Sequence, residues 1–84
     1  MPYVHRTPIM SCSTIAKMTK TVSFYLKCEN FQKIGAFKPR GAFNKMLQLP
    51  KNVTSVCTHS SGNNAQAVAY AAKQLGLTSY IIMP

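Results

Sequence analysis

Hydrophobic and polar positions change period along this chain. Over residues 22–27 they alternate, with Val22, Phe24 and Leu26 on one side and Ser23, Tyr25 and Lys27 on the other. Period two with β-branched and aromatic residues predicts a strand. Residues 30–35 read as a loop. Over 36–49 the spacing turns helical: Ala42, Phe43, Met46 and Leu47 fall on one stripe, and Pro50 stops it. Pro39 is tolerated only in the first turn, where its missing N–H has no intrahelical partner. Lys38 therefore stands at the helix entrance. Gly41 lets this helix approach a neighbouring backbone or a flat ligand closely.

Residues 55–58 form a short strand, broken by Gly62. Asn63 or Asn64 opens a second helix through Leu75. Ala65, Val68, Ala69, Ala72 and Leu75 follow its apolar spacing, and Gly76 is a left-handed terminator. Residues 80–83 are a last strand. Upstream, residues 1–20 are the least regular. Thr7-Pro8 marks an extended entry, and Ser11, Ser13 or Thr14 caps a helical turn running to about Met18. The order strand–helix–strand–helix–strand predicts an α/β fold. Two consecutive βαβ units imply a parallel sheet with right-handed crossovers.

Composition narrows the class. The 84 residues suffice for one small domain, and an apolar share of 46% argues against global disorder. Ten Lys/Arg face a single acid, Glu29, for a net charge of +9. That balance suits an anionic partner. The basic residues form no run, however, and neither zinc spacing nor an RNA-binding aromatic signature accompanies them. Nucleic acid is not the expected partner. Cys12, Cys28 and Cys57 lie far apart, are odd in number and include no CxxC. They read as reduced thiols of a cytoplasmic protein. No apolar leader follows Met1, and no apolar stretch is long enough to span a bilayer. His5 and His59 lack metal-ligand spacing, so no metal site is expected on them and both read as structural.

Two strings carry the candidate chemistry. Residues 27–41 read Lys-Cys-Glu-Asn-Phe-Gln-Lys-Ile-Gly-Ala-Phe-Lys-Pro-Arg-Gly, and residues 59–66 read His-Ser-Ser-Gly-Asn-Asn-Ala-Gln. By composition alone Lys38 is one of ten basic side chains and reads as a solvated lysine. A reactive lysine needs desolvation or a cationic neighbour to shed its proton. Arg40, Phe37 and Phe43 are near in sequence. The second string is a Ser/Gly/Asn turn opening a helix. Its free N–H groups suit a carboxylate or phosphate, and its residues equally suit an ordinary N-cap.

Together the strings resemble the fold-type II pyridoxal-phosphate enzymes, and among them the serine racemases and the serine/threonine and 3-hydroxyaspartate dehydratases. The resemblance runs over residues 5–84. It implies an N-terminal fragment of a two-domain, tryptophan-synthase-β-like architecture. Residues 1–57, roughly, would belong to the large domain and 58–84 would begin the small one. It implies pyridoxal 5'-phosphate as cofactor, carried covalently by Lys38, with Phe37 against its ring and Asn63 bonded to its ring oxygen. Ser60, Ser61, Gly62, Asn63 and Asn64 would face a serine-like substrate and its α-carboxylate. Lys38 would act as base on one face of the substrate Cα and Ser61 as acid/base on the other. Two bases on opposite faces permit racemisation, whereas an ammonia-lyase works with one.

The match to the family pattern is not complete: Ala36 stands where many members have serine, and Asn64 where they have histidine. Asparagine keeps hydrogen bonding but lacks a titratable ring. Ser13, Thr14, Lys33 and Gln66 match nucleotide-contacting positions of ATP-stimulated members, which also take Mg or Ca. Cys12 and Ile34 fall at such positions too, replacing a serine and a threonine. Members are often homodimers. The matched part is about the first quarter of a member. It leaves out the glycine-rich phosphate loop, the group facing the pyridine nitrogen and the divalent-cation site. The expectation is a fragment of a racemase or ammonia-lyase that is not itself catalytically competent. The alternative is a non-catalytic truncated isoform or interaction fragment.

Overall fold

The computed structural model describes residues 3–84. Its elements in chain order are β1 (Ile9–Ser11), α1 (Ser13–Thr19), β2 (Tyr25–Lys27), two 3-10 turns (Glu29–Phe31 and Lys33–Gly35), α2 (Lys38–Met46), β3 (Ser55–His59), α3 (Asn63–Leu75) and β4 (Thr78–Ile82). The α/β class expected from the alternating periods stands. β3 and β4 pair in parallel, from Ser55 opposite Thr78 to His59 opposite Ile82, with α3 as the crossover.

Only one βαβ unit is present among the described residues, where two were expected. The strand expected at 22–27 is shorter, and it does not join β3. It pairs antiparallel with β1, in the register Ile9–Lys27, Met10–Leu26, Ser11–Tyr25. Cys12 N–H donates to the Phe24 carbonyl and Cys28 N–H to the Pro8 carbonyl, extending the ribbon at both ends. The alternation over 22–27 does not sort inside from outside either: all three residues of β2 are exposed, and Val22 is bare. Cys12 precedes α1, without a side-chain cap, in place of the serine or threonine expected to cap it.

The core lies between α2 and α3. Pro39, Phe43 and Met46 are buried on α2, and Ala65, Ala67, Ala71 and Ala72 on α3. The stripe expected on α2 holds at Phe43 and Met46. Leu47 is instead exposed, because the helix gives way to turns after Met46. Phe43 is fully enclosed. Tyr3 stacks on it at 5.1 Å between ring centroids, and Tyr70 meets it edge-on at 6.0 Å. Alanines on α3 let α2 come close, so one aromatic side chain fills the space between the helices. Gly76 ends α3 at φ 72, as the sequence predicts, and β4 begins two residues earlier than expected, at Thr78.

The shape is open. The radius of gyration is 16.5 Å, against about 12 Å for a compact domain of this length. The accessible surface is 6161 Å², against roughly 5,000 Å² for a compact protein of this mass. Part of the excess lies on the β3–β4 sheet. α3 covers one face, while Cys57, His59, Tyr80 and Ile82 on the other are exposed. Parallel sheets are ordinarily covered on both faces.

Candidate functional site

Lys38 is the first residue of α2 and Pro39 the second, as the tolerance for proline requires. The Lys38 side chain is exposed. Its Nζ lies 5.7 Å from the centroid of the Phe37 ring, which is itself exposed. Among the described residues, no carboxylate pairs with it, since the sole acid is engaged elsewhere. The desolvated pocket that a reactive lysine needs is therefore not built by these residues.

That acid is the centre of a hydrogen-bond network. Arg40 reaches Glu29 with both ends of its fork: Nε donates to Oε2 and Nη2 to Oε1, each at 3.0 Å. The Thr7 hydroxyl donates to Oε1 at 2.8 Å. Arg40 Nη2 also donates to the His5 carbonyl at 3.0 Å, and Lys27 Nζ to the Thr7 carbonyl at 2.8 Å. Gln32 is buried and uses its whole amide: Oε1 accepts from the His5 and Lys33 N–H groups, and Nε2 donates to the His5 carbonyl and, at 3.5 Å, to Glu29. The Arg40 hydrogen bond, then that of Thr7, holds the Glu29 carboxyl down at about 2, against an ordinary 4.5. The Glu29 hydrogen bond raises Arg40 in return. Bidentate, charge-assisted geometry of this kind fixes orientation as well as energy. The sequence placed Arg40 beside Lys38 as a cationic neighbour. The fold instead commits its charge to Glu29.

The second string forms the turn between β3 and α3. Ser60 is half-buried, and its hydroxyl accepts from the N–H groups of Gly62, at 3.1 Å, and Ala65, at 3.3 Å. It thus serves the start of α3 as a capping side chain serves a helix. Ser61, Gly62 and Asn63 are exposed. Asn64 departs from them. It is half-buried, and its amide donates to the Thr58 hydroxyl at 2.9 Å, latching the first turn of α3 to the end of β3. A histidine there would forgo that amide donor.

A cleft of about 430 Å³ lies behind this turn, with Gly41, Lys45, Cys57, Thr58, Asn64 and Val68 in its lining. It takes in Asn64 but neither Lys38 nor Ser61 and Asn63. The close backbone approach expected at Gly41 is absent: a Cβ placed there meets nothing within 4 Å. The residues matched to nucleotide contacts lie on three elements. Ser13 and Thr14 are exposed on the first turn of α1, Lys33 is half-buried in the second 3-10 turn, and Gln66 is exposed on α3. No group of three metal-ligating side chains occurs among the described residues.

As for a planar aldehyde cofactor, the chemistry of the donor set fits. An exposed primary amine adjoins an aromatic ring, and an exposed asparagine opens the neighbouring helix. Sequence reasoning missed the network behind them. The available signal was Glu29 itself: a lone acid in a chain of net charge +9 has its pick of cations.

Comparison with known proteins bears on the family and the fold. The family model for "Pyridoxal-phosphate dependent enzyme" matches residues 1–84. A serine racemase of Oryza sativa subsp. japonica is 51% identical over 99% of this chain and 25% of its own length. A β-hydroxyaspartate dehydratase of Paracoccus denitrificans is 42% identical over 99% of this chain and 27% of its own. The solved structure of maize serine racemase superposes with a TM-score of 0.89 at 50% identity, over 99% of this chain and 26% of that one. The chain thus spans about a quarter of the length of the relatives it matches. No helix among the described residues is long and apolar enough to cross a membrane.

Proposed function

This chain belongs to the pyridoxal-phosphate dependent enzyme family, and from that premise we propose that it supplies the lysine-bearing part of a serine racemase or hydroxy-amino-acid ammonia-lyase. The observation that carries the reading is Lys38 at the first residue of α2, exposed and with the Phe37 ring beside its amine. The bound cofactor supplies an electron sink for a carbanion at the substrate Cα. Lys38 would hold the cofactor and, once the substrate's own amine has displaced it, its freed amine would take the proton from one face of that carbon. Phe37 would lie against the ring, and Asn63 would donate to the ring oxygen. Ser61 offers a hydroxyl to the other face. The exposed turn of Ser61, Gly62 and Asn63 receives the substrate carboxylate, with Ser60 holding the turn in shape. Asn64 acts through Thr58 as a latch on that turn. On this reading residues 1–57 belong to the larger domain and 58–84 open the smaller one, as parts of a cytoplasmic and dimeric whole. ATP, Mg or Ca would act as activators rather than at the reacting carbon.

The test is a chimera in which these 84 residues replace the matched quarter of maize serine racemase. It should show the cofactor's visible absorbance and act on L-serine. Lys38→Ala should abolish both. Ser61→Ala should lose racemisation and keep release of ammonia. A Lys38→Ala chimera that retains the visible absorbance would refute the assignment.

The bare face of the β3–β4 sheet and the open shape favour one other reading, a non-catalytic interaction fragment. Sedimentation of the 84-residue chain tests it. A stable, cooperatively folding monomer counts against it.

A further inference from the structure

The turn that delivers Lys38 is built against local preference. Ile34 sits at φ 59, ψ 9, and Gly35 follows at φ 72. Left-handed backbone is ordinary for glycine and strained for a β-branched residue. Such strain persists only where the surroundings over-determine the chain.

Here they do so on both sides. Upstream, the buried Gln32 accepts from the His5 N–H at 2.7 Å and donates to the His5 carbonyl at 2.9 Å. Downstream, Arg40 donates to that same carbonyl at 3.0 Å while its fork grips Glu29. Thr7 closes the ring by donating to Glu29. Gln32 and Arg40 are therefore pinned to one short segment, His5 to Thr7. The chain between them has to turn back on itself, and Ile34 takes up the left-handed conformation that this demands. Lys38 lies inside the closed span, two residues before its downstream pin.

We propose that Glu29, Gln32 and Arg40 are positioning residues for Lys38: together they hold the left-handed Ile34–Gly35 turn closed and so fix where α2 begins. The inference deepens the reading of Lys38 as the cofactor-bearing lysine and rests on it. None of the three touches a reacting atom. They act through the turn, and the strain at Ile34 is the mark of their action.

The experiment uses the 84-residue chain and NMR, with two signatures that need no cofactor. The Ile34 Cα shift and HN–Hα coupling report the left-handed conformation. The Lys38 ε-methylene resonances report the Phe37 ring current. Arg40→Met is expected to lose both, while the Tyr3 and Phe43 ring resonances keep their native positions. Arg40→Lys is expected not to restore them, because an ammonium does not bridge two carboxylate oxygens as a guanidinium does. Adding Ile34→Gly to Arg40→Met removes the strain, so the turn closes without its pins and the Lys38 signature returns. A residue with a merely structural role would show no such rescue.

Arg40→Met retaining both signatures, or losing them with no rescue by Ile34→Gly, overturns the proposal. If Arg40→Met alone does not fold, the double variant decides: recovery of the fold supports the proposal and failure to recover overturns it. Reductive trapping of pyridoxal phosphate in the racemase chimera, mapped to the modified lysine, tests the functional reading separately. Trapping absent from Lys38 there removes that reading and leaves the two conformational signatures to stand or fall on their own.

Discussion

Phe43→Ala tests the packing between α2 and α3 directly. Phe43 is fully buried between α2 and α3, with Tyr3 stacked on it and Tyr70 against its edge. Truncating a buried phenylalanine costs about 3–5 kcal/mol, the transfer term plus the cavity left behind. A chain of 84 residues has a total stability of roughly 4–13 kcal/mol. The open shape buries less surface than a compact domain would, which puts this chain near the lower end of that range. Phe43→Ala should therefore leave it barely folded or unfolded.

Phe37→Ala is the matched control. It removes the same side chain six positions earlier, at an exposed site, and should change stability by no more than about 0.5 kcal/mol. The assay is urea unfolding followed by far-UV circular dichroism. With a slope of about 1–1.5 kcal/mol per molar urea for so small a protein, the Phe43→Ala midpoint should fall by about 2–5 M, or to zero where the variant is already unfolded. Midpoints that move equally for the two variants would refute the packing argument.

Glu29 supplies a pH dependence. Its folded value of about 2 lies below the ordinary 4.5, so its contribution is complete above the ordinary carboxylate range and disappears as pH falls towards 2. A carboxyl-carbon NMR titration of Glu29 with its midpoint near 4.5 would contradict the bidentate geometry, and Glu29→Gln should remove this component of acid sensitivity. Gln32→Leu should cost about 2 kcal/mol in urea titrations, because it leaves the His5 and Lys33 N–H groups without the amide oxygen that accepts from them, while the His5 carbonyl keeps Arg40. Gly76→Ala should cost about 1 kcal/mol although the space around it is open, since φ 72 disfavours any Cβ. A neutral result there would show that the end of α3 adjusts freely.

The parts legible in the sequence are those with local punctuation. Gly62 and Gly76 bracket α3 and Pro39 fixes the start of α2, whereas the apolar spacing of α3 finds Ala65 and Ala72 on its buried face but misses Ala67 and Ala71. The position of Lys38 at a helix entrance followed from proline chemistry alone. The parts that were not legible depend on pairing across distance. β1 is three exposed residues with no periodicity, and it exists because β2 lies beside it. The same pairing withdraws β2 from the parallel sheet. The Glu29–Arg40 fork joins residues that sequence spacing does not bring together, since two 3-10 turns and a left-handed isoleucine intervene. Asn64 looked like a departure on the ligand side of the turn, whereas its bond to Thr58 shows what it does for the backbone.

Among the described residues, β3 is bonded along one edge only, to β4. In a parallel strand the peptide groups point alternately left and right. Half the β3 amides are therefore tied to a neighbour and half are open to water. Deuterium uptake along β3 should come out striped, slow and fast in alternation. Any polypeptide that came to lie against the vacant edge would erase the stripe by protecting the fast half, turning five consecutive amides into a residue-resolved gauge of whether this chain has company.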